Sequence, residues 1–226
     1  MSGRSGRVTP LSSQSGNDHS ANRYARTCTT EFWQQVFAAE AAYLLDFLKP
    51  GWRVLSVGCG PAHIETRLAE AGVDVVGLDV SRQAIACAPD SLRAVAGSAE
   101  ELPFADASFD AVIAVASLQF MAHPRRALQQ MVRVLRPQGI LVAMLLNPAS
   151  SFFRAKMDAP DSYVHRIRHT DLLSIESDAA VHFQELRSEY FLGIDPDSHV
   201  FADHSPSTAA LYVIRGVKGS NLPQAF

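Results

Sequence analysis

The chain has 226 residues, of which 47% are hydrophobic and 19% are charged, a balance typical of one globular domain. Its net charge of −3 disfavours a nucleic-acid surface or an anionic membrane as the main partner, because both attract a cationic protein. Its three cysteines are widely spaced and odd in number, which indicates neither a disulfide framework nor a zinc knuckle and favours a reducing cytoplasm.

Residues 1–20 are rich in Ser, Gly and Arg and lack the apolar core of a signal peptide. This composition predicts a disordered N-terminal tail, followed by a single domain over 21–226. The longest apolar runs are far shorter than the roughly 20 residues of a membrane-spanning helix. The sequence therefore predicts no membrane segment.

Hydrophobic periodicity predicts alternating helices and strands along the first two thirds of the chain. In chain order the patterns predict a helix over 30–48, a strand over 53–58, a helix over 62–72, a strand over 74–80, a helix over 81–88, strands over 92–98 and 109–117, a helix over 124–135 and a strand over 139–147. These strands are nearly continuous apolar runs, which is typical of a parallel sheet covered by helices on both faces.

The C-terminal part is less regular than the rest. Segments 182–191 and 210–218 alternate between apolar and polar residues and predict two further strands, antiparallel at the sheet edge. Segment 148–170 has no clear period and is either a loop or a small helical insertion. The expected fold is therefore α/β and Rossmann-like, with a doubly wound, mostly parallel seven-stranded sheet and helices on both faces.

The stretch VLSVGCGPAH, residues 54–63, leads from a strand through two glycines into a helix. A dinucleotide fingerprint would continue with a third glycine where His63 stands, and a bulky side chain there disfavours a pyrophosphate. Asp79 ends the next strand about 20 residues later, where a carboxylate can accept hydrogen bonds from the ribose of NAD or of S-adenosylmethionine (SAM). The alternative is that Asp79 only caps the helix that begins near Ser81.

Three blocks of sequence resemble the class I SAM-dependent methyltransferases, in the small-molecule branch with the "methyltransferase type 11" pattern. The first is VLSVGCGPAHIETRLAEAGVDVVGLDVS, the second is GSAEELPFADASFDAVIAV, and the third is ALQQMVRVLRPQGILVAMLLN. The resemblance extends from about residue 22 to residue 218. The three blocks in this order are much more specific than any one of them.

The resemblance implies SAM as the cofactor, S-adenosylhomocysteine (SAH) as its product, and a set of cofactor contacts. The resemblance implies that the methionine part of the cofactor contacts Gly58, Cys59 and Gly60 and that its amino group faces Ala114 and Val115. It implies further that the ribose contacts Asp79, that the adenine contacts Val80, Ser98, Ala99 and Glu100, and that the side chain of Tyr24 closes over the cofactor. The chain departs from the family pattern at three positions. Ala62 and Gln138 stand where a glycine is usual, and Ser98 stands where an aspartate is usual.

The residues that would contact the methyl acceptor are less clear. A substrate-facing position is implied for Gln119, and Phe153 and Tyr163 belong to segment 147–171, which we expect to form a lid that determines specificity. No catalytic base stands out. His165 and His169 share the spacing of a metal pair but lack an accompanying glutamate, so no metal site is predicted.

The sequence thus predicts methyl transfer from SAM to an O, N or C atom of a small molecule, by a monomer or a homodimer. Two alternatives belong to other functional classes: a SAM-binding sensor or assembly protein without catalysis, and an NAD(P)-dependent reductase. A methylase of macromolecules is disfavoured by the net charge.

Overall fold

The structure is a computed structural model and describes residues 28–220. Tyr24 and the predicted tail over residues 1–20 lie outside this range. The helices are α1 (Glu31–Leu45), α2 (His63–Glu70), α3 (Arg82–Ile85), α4 (Pro124–Val134), α5 (Ser151–Asp158) and α6 (Leu172–Ala180). The strands are β1 (Arg53–Val57), β2 (Asp74–Asp79), β3 (Arg93–Ala96), β4 (Phe109–Val115), β5 (Leu135–Leu146), β6 (Glu185–Ile194), β7 (Val200–Phe201) and β8 (Ala209–Val217).

One eight-stranded sheet forms the centre of the described region, with the order β3-β2-β1-β4-β5-β8-β6-β7. The first five strands of this order pair in parallel, and β8, β6 and β7 add antiparallel pairs at one edge. The predicted doubly wound, mostly parallel sheet is confirmed. The eighth strand, β7, has two residues, too few to give a periodic pattern.

Two apolar cores lie on opposite faces of the sheet, because successive strand side chains alternate between the faces. On β1, Val54 belongs to the core under α1 and α2, and the adjacent Leu55 belongs to the core under α4 and α6. Burial of α4 follows the helical period, with Ala127, Leu128, Met131 and Val134 on its inner face.

Segment 148–170 takes the helical alternative. Ser150 caps α5 by accepting a hydrogen bond of 3.0 Å from the N–H of Phe153, and a 3₁₀ turn follows over Tyr163–Arg166. Helix α6 was not predicted, although Asp171 caps it by accepting the N–H of Ser174 at 3.0 Å. Among the described helices, none is both long and apolar enough to cross a membrane.

Strands β1 and β4 are neighbours in the sheet, and the strand order reverses between them. From this point β2 and β3 continue toward one edge of the sheet, and β5 continues toward the other. In open α/β sheets, ligands bind beyond the carboxyl ends of the strands at such a switch point. The glycine turn after β1 and the acidic end of β2 meet there.

Candidate functional site

A cavity of about 880 Å³ opens at the carboxyl ends of the parallel strands. This volume lies toward the upper end of the range for small-molecule sites. Its walls come from the glycine turn, the end of β2, the loop before residue 100, the end of β4, one face of α1, and the segment of α5 with the following 3₁₀ turn.

Ten of the residues singled out in the sequence line this cavity: Gly58, Cys59, Gly60, Asp79, Val80, Ser98, Ala99, Glu100, Val115 and Tyr163. Segments distant in sequence are therefore brought to one place. Ala114, Gln119 and Phe153 do not line it, and Tyr24 lies outside the described residues. Contact of a cofactor with the lining residues stays a prediction.

Gly58 adopts a φ of 81°, in the left-handed region that favours glycine. A Cβ atom added there would lie 2.4 Å from the Cβ of Ser117, in the loop after β4. Ser117 in turn donates a hydrogen bond of 2.6 Å to the carbonyl of Val57. The glycine is thus required by the close approach of two loops.

The two positions where glycine is usual in the family keep a glycine-like backbone. Ala62 and Gln138 both have a φ of 64°. A non-glycine residue in this region is strained by about 1–2 kcal/mol. The replacements therefore preserve the path of the turns at a cost in stability.

Asp79 has both carboxylate oxygens engaged with the backbone. Oδ2 accepts a hydrogen bond of 2.8 Å from the N–H of Gly60, and Oδ1 accepts one of 2.8 Å from the N–H of Ser81. The capping alternative is thus present in the structure, since Ser81 begins the turn into α3. Each carboxylate oxygen has a further lone pair, so ribose hydroxyls can still donate to it.

His63 occupies the position of the third glycine of a dinucleotide fingerprint. Its ring stacks on Phe37 of α1, with centroids 5.0 Å apart and planes 11° apart. Burial, together with Arg67, lowers the pKa of His63, so the imidazole is neutral at pH 7. A neutral, stacked side chain at this helix start is unlike the open glycine cradle that a pyrophosphate requires.

Two buried glutamates that sequence reasoning missed also line the cavity. Glu65, in the first turn of α2, is 3% exposed and accepts a hydrogen bond of 2.5 Å from the hydroxyl of Ser56. Glu40, on α1, is 5% exposed. Burial raises the pKa of Glu65 to about 7, and burial together with Glu65 raises that of Glu40 to about 8.

A signal for Glu40 was present in the sequence. The predicted helix over 30–48 places it on the apolar stripe of Val36, Phe37 and Leu44, where a carboxylate is out of place. Glu65 had a weaker signal, its closeness to the glycine turn.

Another part of the cavity wall is aromatic and apolar. Trp33 lies 6.3 Å from Phe152 and 6.2 Å from Tyr163 between ring centroids, and Phe120 lies 6.3 Å from Tyr163. All four rings line the cavity, together with side chains of β6 and β8. The guanidinium groups of the lining residues Arg166 and Arg168 belong to exposed side chains.

Gln119 has a structural position instead of the predicted substrate-facing one. Its fully buried amide donates to the carbonyls of Leu146 (3.1 Å) and His169 (3.2 Å) and accepts the N–H of Leu146 at 2.7 Å. It thereby attaches the end of the 147–171 segment to the sheet. Phe153 and Ala114 are buried in the apolar cores, which explains why they lie off the cavity.

The chemistry of the lining fits the cofactor that the resemblance implies. Asp79 and Glu65 place carboxyl groups in the lining close to the glycine turn, and within residues 28–220 no lysine belongs to the lining, whose arginines, Arg166 and Arg168, are exposed. SAM carries a positive sulfonium and an ammonium group, whereas a dinucleotide carries a negatively charged pyrophosphate. The acidic lining attracts the first and repels the second.

Comparison with known proteins finds similarity to methyltransferases. Residues 55–143 match the family model of a methyltransferase domain. The chain is 41% identical over 110 residues to a demethylmenaquinone methyltransferase of Renibacterium salmoninarum, covering 46% of each chain. It is 31% identical over 146 residues to the biotin biosynthesis bifunctional protein BioHC of Cellvibrio japonicus, covering 61% of this chain and 29% of that one. The chain thus spans less than half the length of either relative.

Solved structures share the fold. A SAM-dependent methyltransferase of Thermotoga maritima, described as a possible histamine N-methyltransferase, superposes with a TM-score of 0.74 at 22% identity, over 89% of this chain and 97% of that one. A SAM-dependent methyltransferase of Archaeoglobus fulgidus gives 0.67 at 16% identity, over 82% and 94%. The match over residues 55–143 and the shared fold support a class I S-adenosylmethionine-dependent methyltransferase domain of the type 11 branch.

Proposed function

We propose that this protein transfers a methyl group from SAM to a small-molecule acceptor held at the aromatic part of the cavity wall. The observation that carries the proposal is the presence of a strand-end carboxylate, Asp79, and a buried glutamate, Glu65, in one cavity. Such a lining suits a cationic cofactor with a ribose. It opposes the NAD(P)-dependent alternative, as does the stacked ring of His63.

Each part of the cavity has a distinct task in this proposal. Asp79 would hold the ribose hydroxyls, and Val80, which is 81% exposed at the cavity wall, would cover a face of the adenine. Ser98 and Glu100 would contact its polar edge. Glu65, fixed by Ser56, would lie beside the cationic methionine end.

In the chemical step the protein mainly has to align the acceptor atom with the methyl group of SAM. When bound, SAM supplies a methyl group already activated by the positive charge on its sulfur. The aromatic walls would orient the acceptor and exclude water, and alignment of this kind can lower a barrier by about 7–11 kcal/mol.

We further propose that the segment over 147–171 determines which acceptor binds. It supplies the cavity side chains of Phe152, Tyr163, Arg166 and Arg168. The amide of Gln119 holds its C-terminal end against β5. A segment fixed at this point can carry specificity without being part of the sheet.

The net charge and the concave site support a small-molecule partner over a nucleic acid. The cysteines support a cytoplasmic location, because Cys59 and Cys87 are free thiols. The oligomeric state, a monomer or a homodimer, stays a prediction.

Methyl transfer tests the proposal. The purified protein is incubated with SAM carrying a labelled methyl group and a panel of small aromatic amines, alcohols and acids, and label in the products is measured. We expect label in at least one product and its loss in Asp79→Ala. Binding of SAM without transfer to any member of a broad metabolite panel would favour the non-catalytic alternative.

A further inference from the structure

Glu40 differs from the other acids of the cavity in having no partner among residues 28–220. Asp79 accepts two backbone N–H groups, Glu65 accepts the hydroxyl of Ser56, and Glu100 accepts the N–H of His123 at 3.0 Å. The carboxylate of Glu40 makes neither a hydrogen bond nor an ion pair with any residue of the described range 28–220. A buried carboxylate without a partner is costly unless something else satisfies it.

Within residues 28–220 no cation forms an ion pair with Glu40, although the ammonium group of Lys156 lies over the rings of Trp33 and Phe152. The titratable groups that influence it are Glu65 from α2 and Tyr163 from the 3₁₀ turn, and neither is positively charged. Burial raises the pKa of Tyr163, which therefore stays a neutral phenol. Arg166 and Arg168 are exposed, so their charges are hydrated and screened.

Aromatic rings flank the same place. Phe37 and Trp33 lie one and two helical turns before Glu40 on α1, so the three side chains share one face of the helix, and all line the cavity. Their rings stack with centroids 5.8 Å apart. An alkylammonium group is stabilised both by a carboxylate and by the faces of aromatic rings.

Resting on the proposed methyl transfer, we propose that Glu40 binds the reacting amino group of the acceptor. The acceptor is then a primary or secondary amine with an aromatic or apolar substituent, and the product is its N-methyl derivative. The amine satisfies the unpartnered carboxylate, and its substituent packs against the rings of Trp33, Phe152 and Tyr163.

The same contact supplies the proton transfer that the reaction needs. A protonated amine has no free lone pair, so one proton must first leave it. It moves to the Glu40 carboxylate, giving a neutral amine and a neutral carboxylic acid. The nitrogen lone pair then forms the N–C bond to the methyl group of the sulfonium donor while the C–S bond breaks with its electron pair remaining on sulfur. The product is an N-methylammonium, and Glu40 releases its proton to water as the cavity opens.

Binding selectivity tests this assignment without relying on turnover. Calorimetry of the full chain saturated with SAH measures three ligands that share an aryl-ethyl frame: 2-phenylethylamine, 2-phenylethanol and 3-phenylpropanoate. We expect the amine to bind about tenfold or more tightly than the other two. Glu40→Gln should remove this preference while leaving the affinity for the alcohol and for SAH within about twofold. Glu31→Gln, an exposed glutamate on the same helix, is the control and should change nothing.

Each other result contradicts the assignment in a recognisable way. Equal binding of the three ligands, absence of binding by all three, or an amine preference that survives in Glu40→Gln overturns it. A loss of SAH affinity of about tenfold in Glu40→Gln would make Glu40 a cofactor ligand instead. If the wild-type protein does not bind SAH at all, the proposed function itself fails, which is a separate outcome.

Discussion

The carboxylate of Asp79 and the backbone N–H of Gly60 are joined by a hydrogen bond of 2.8 Å, which ties the end of β2 to the glycine turn after β1. The N–H of Ser81 holds the second oxygen of the same carboxylate. The side chain is therefore fixed in place before a ligand arrives, and binding a ribose there costs little side-chain entropy.

Replacement of Asp79 by alanine is expected to weaken SAH binding by roughly ten- to a hundredfold, because hydrogen bonds to a charged group contribute about 1.5–3 kcal/mol. Titration calorimetry measures the affinity, and circular dichroism verifies the fold. Asp74→Ala, at the other end of β2 and in an exposed ion pair with Arg93, is the control. Equal affinity of the folded Asp79→Ala protein and the wild type would remove Asp79 from the site.

A pair of glycine substitutions separates backbone strain from a steric clash. Gly51 and Gly58 have φ values of 80° and 81°, but only Gly58 has neighbours within 4 Å of an added Cβ. We expect Gly51→Ala to lower the free energy of unfolding by about 1 kcal/mol through strain alone. Gly58→Ala should cost about 1–3 kcal/mol more, because Ser117 must move. Urea denaturation measures both, and equal losses would contradict the close approach.

The ligand-free protein should lose stability as the pH rises from mildly acidic to mildly basic values. Glu40 and Glu65 have folded-state pKa values of about 8 and about 7, above the value of 4.5 expected when unfolded. Between these limits the folded state binds more protons than the unfolded state, so the free energy of unfolding falls with increasing pH. The loss from about pH 6 to about pH 8 should be about 3–4 kcal/mol, the larger part of it from Glu40.

Glutamine at either position removes one of these protonation equilibria. Denaturant unfolding at several pH values should therefore show a shallower fall in stability for Glu40→Gln and for Glu65→Gln than for the wild type. Glu31→Gln, an exposed residue, should follow the wild-type curve. A wild-type stability that rises over this pH range would contradict the burial of the two acids.

Adjacent phenylalanines of α5 test the specificity segment. Phe152 and Phe153 are 8% and 6% exposed, but only Phe152 lines the cavity. Phe152→Leu should lower kcat/KM for the methyl acceptor by about tenfold, since it removes part of the cavity wall. Phe153→Leu should lower the free energy of unfolding about as much as Phe152→Leu does, but it should leave kcat/KM within about twofold of the wild type. Steady-state kinetics with SAM held saturating compares them, and equal effects would place Phe152 outside the acceptor site.

Much of the fold could be predicted because its strands are buried on both faces. Continuous apolar runs such as the one over 109–117 and the glycine-bounded helices gave the parallel half of the sheet. Helix α6 was missed because its apolar face is narrow, with only Ile175 and Ala179 buried. The start of β5 at Leu135 was missed because Pro137 and Gln138 read as a turn.

The site was predicted best where backbone conformation or strand ends determine it. Asp79 follows from its place at the end of β2. The positions of Gln119 and Phe153 depend on which side of a short helical turn faces the cavity, and single residues cannot indicate this. Glu40 was not predicted as a site residue, because it reaches the cavity only when α1 packs beside residues more than 20 positions later in the chain.

The central claim is that this acidic cavity holds the cofactor of a methyltransferase. Competitive binding of SAH and NADH tests this claim most directly. Calorimetric titration of the wild-type protein with each ligand, and of the SAH complex with NADH, gives both affinities. The account predicts that SAH binds about a hundredfold or more tightly than NADH and that Asp79→Ala weakens it. Tighter binding of NADH, or binding of neither ligand to the folded protein, would contradict it.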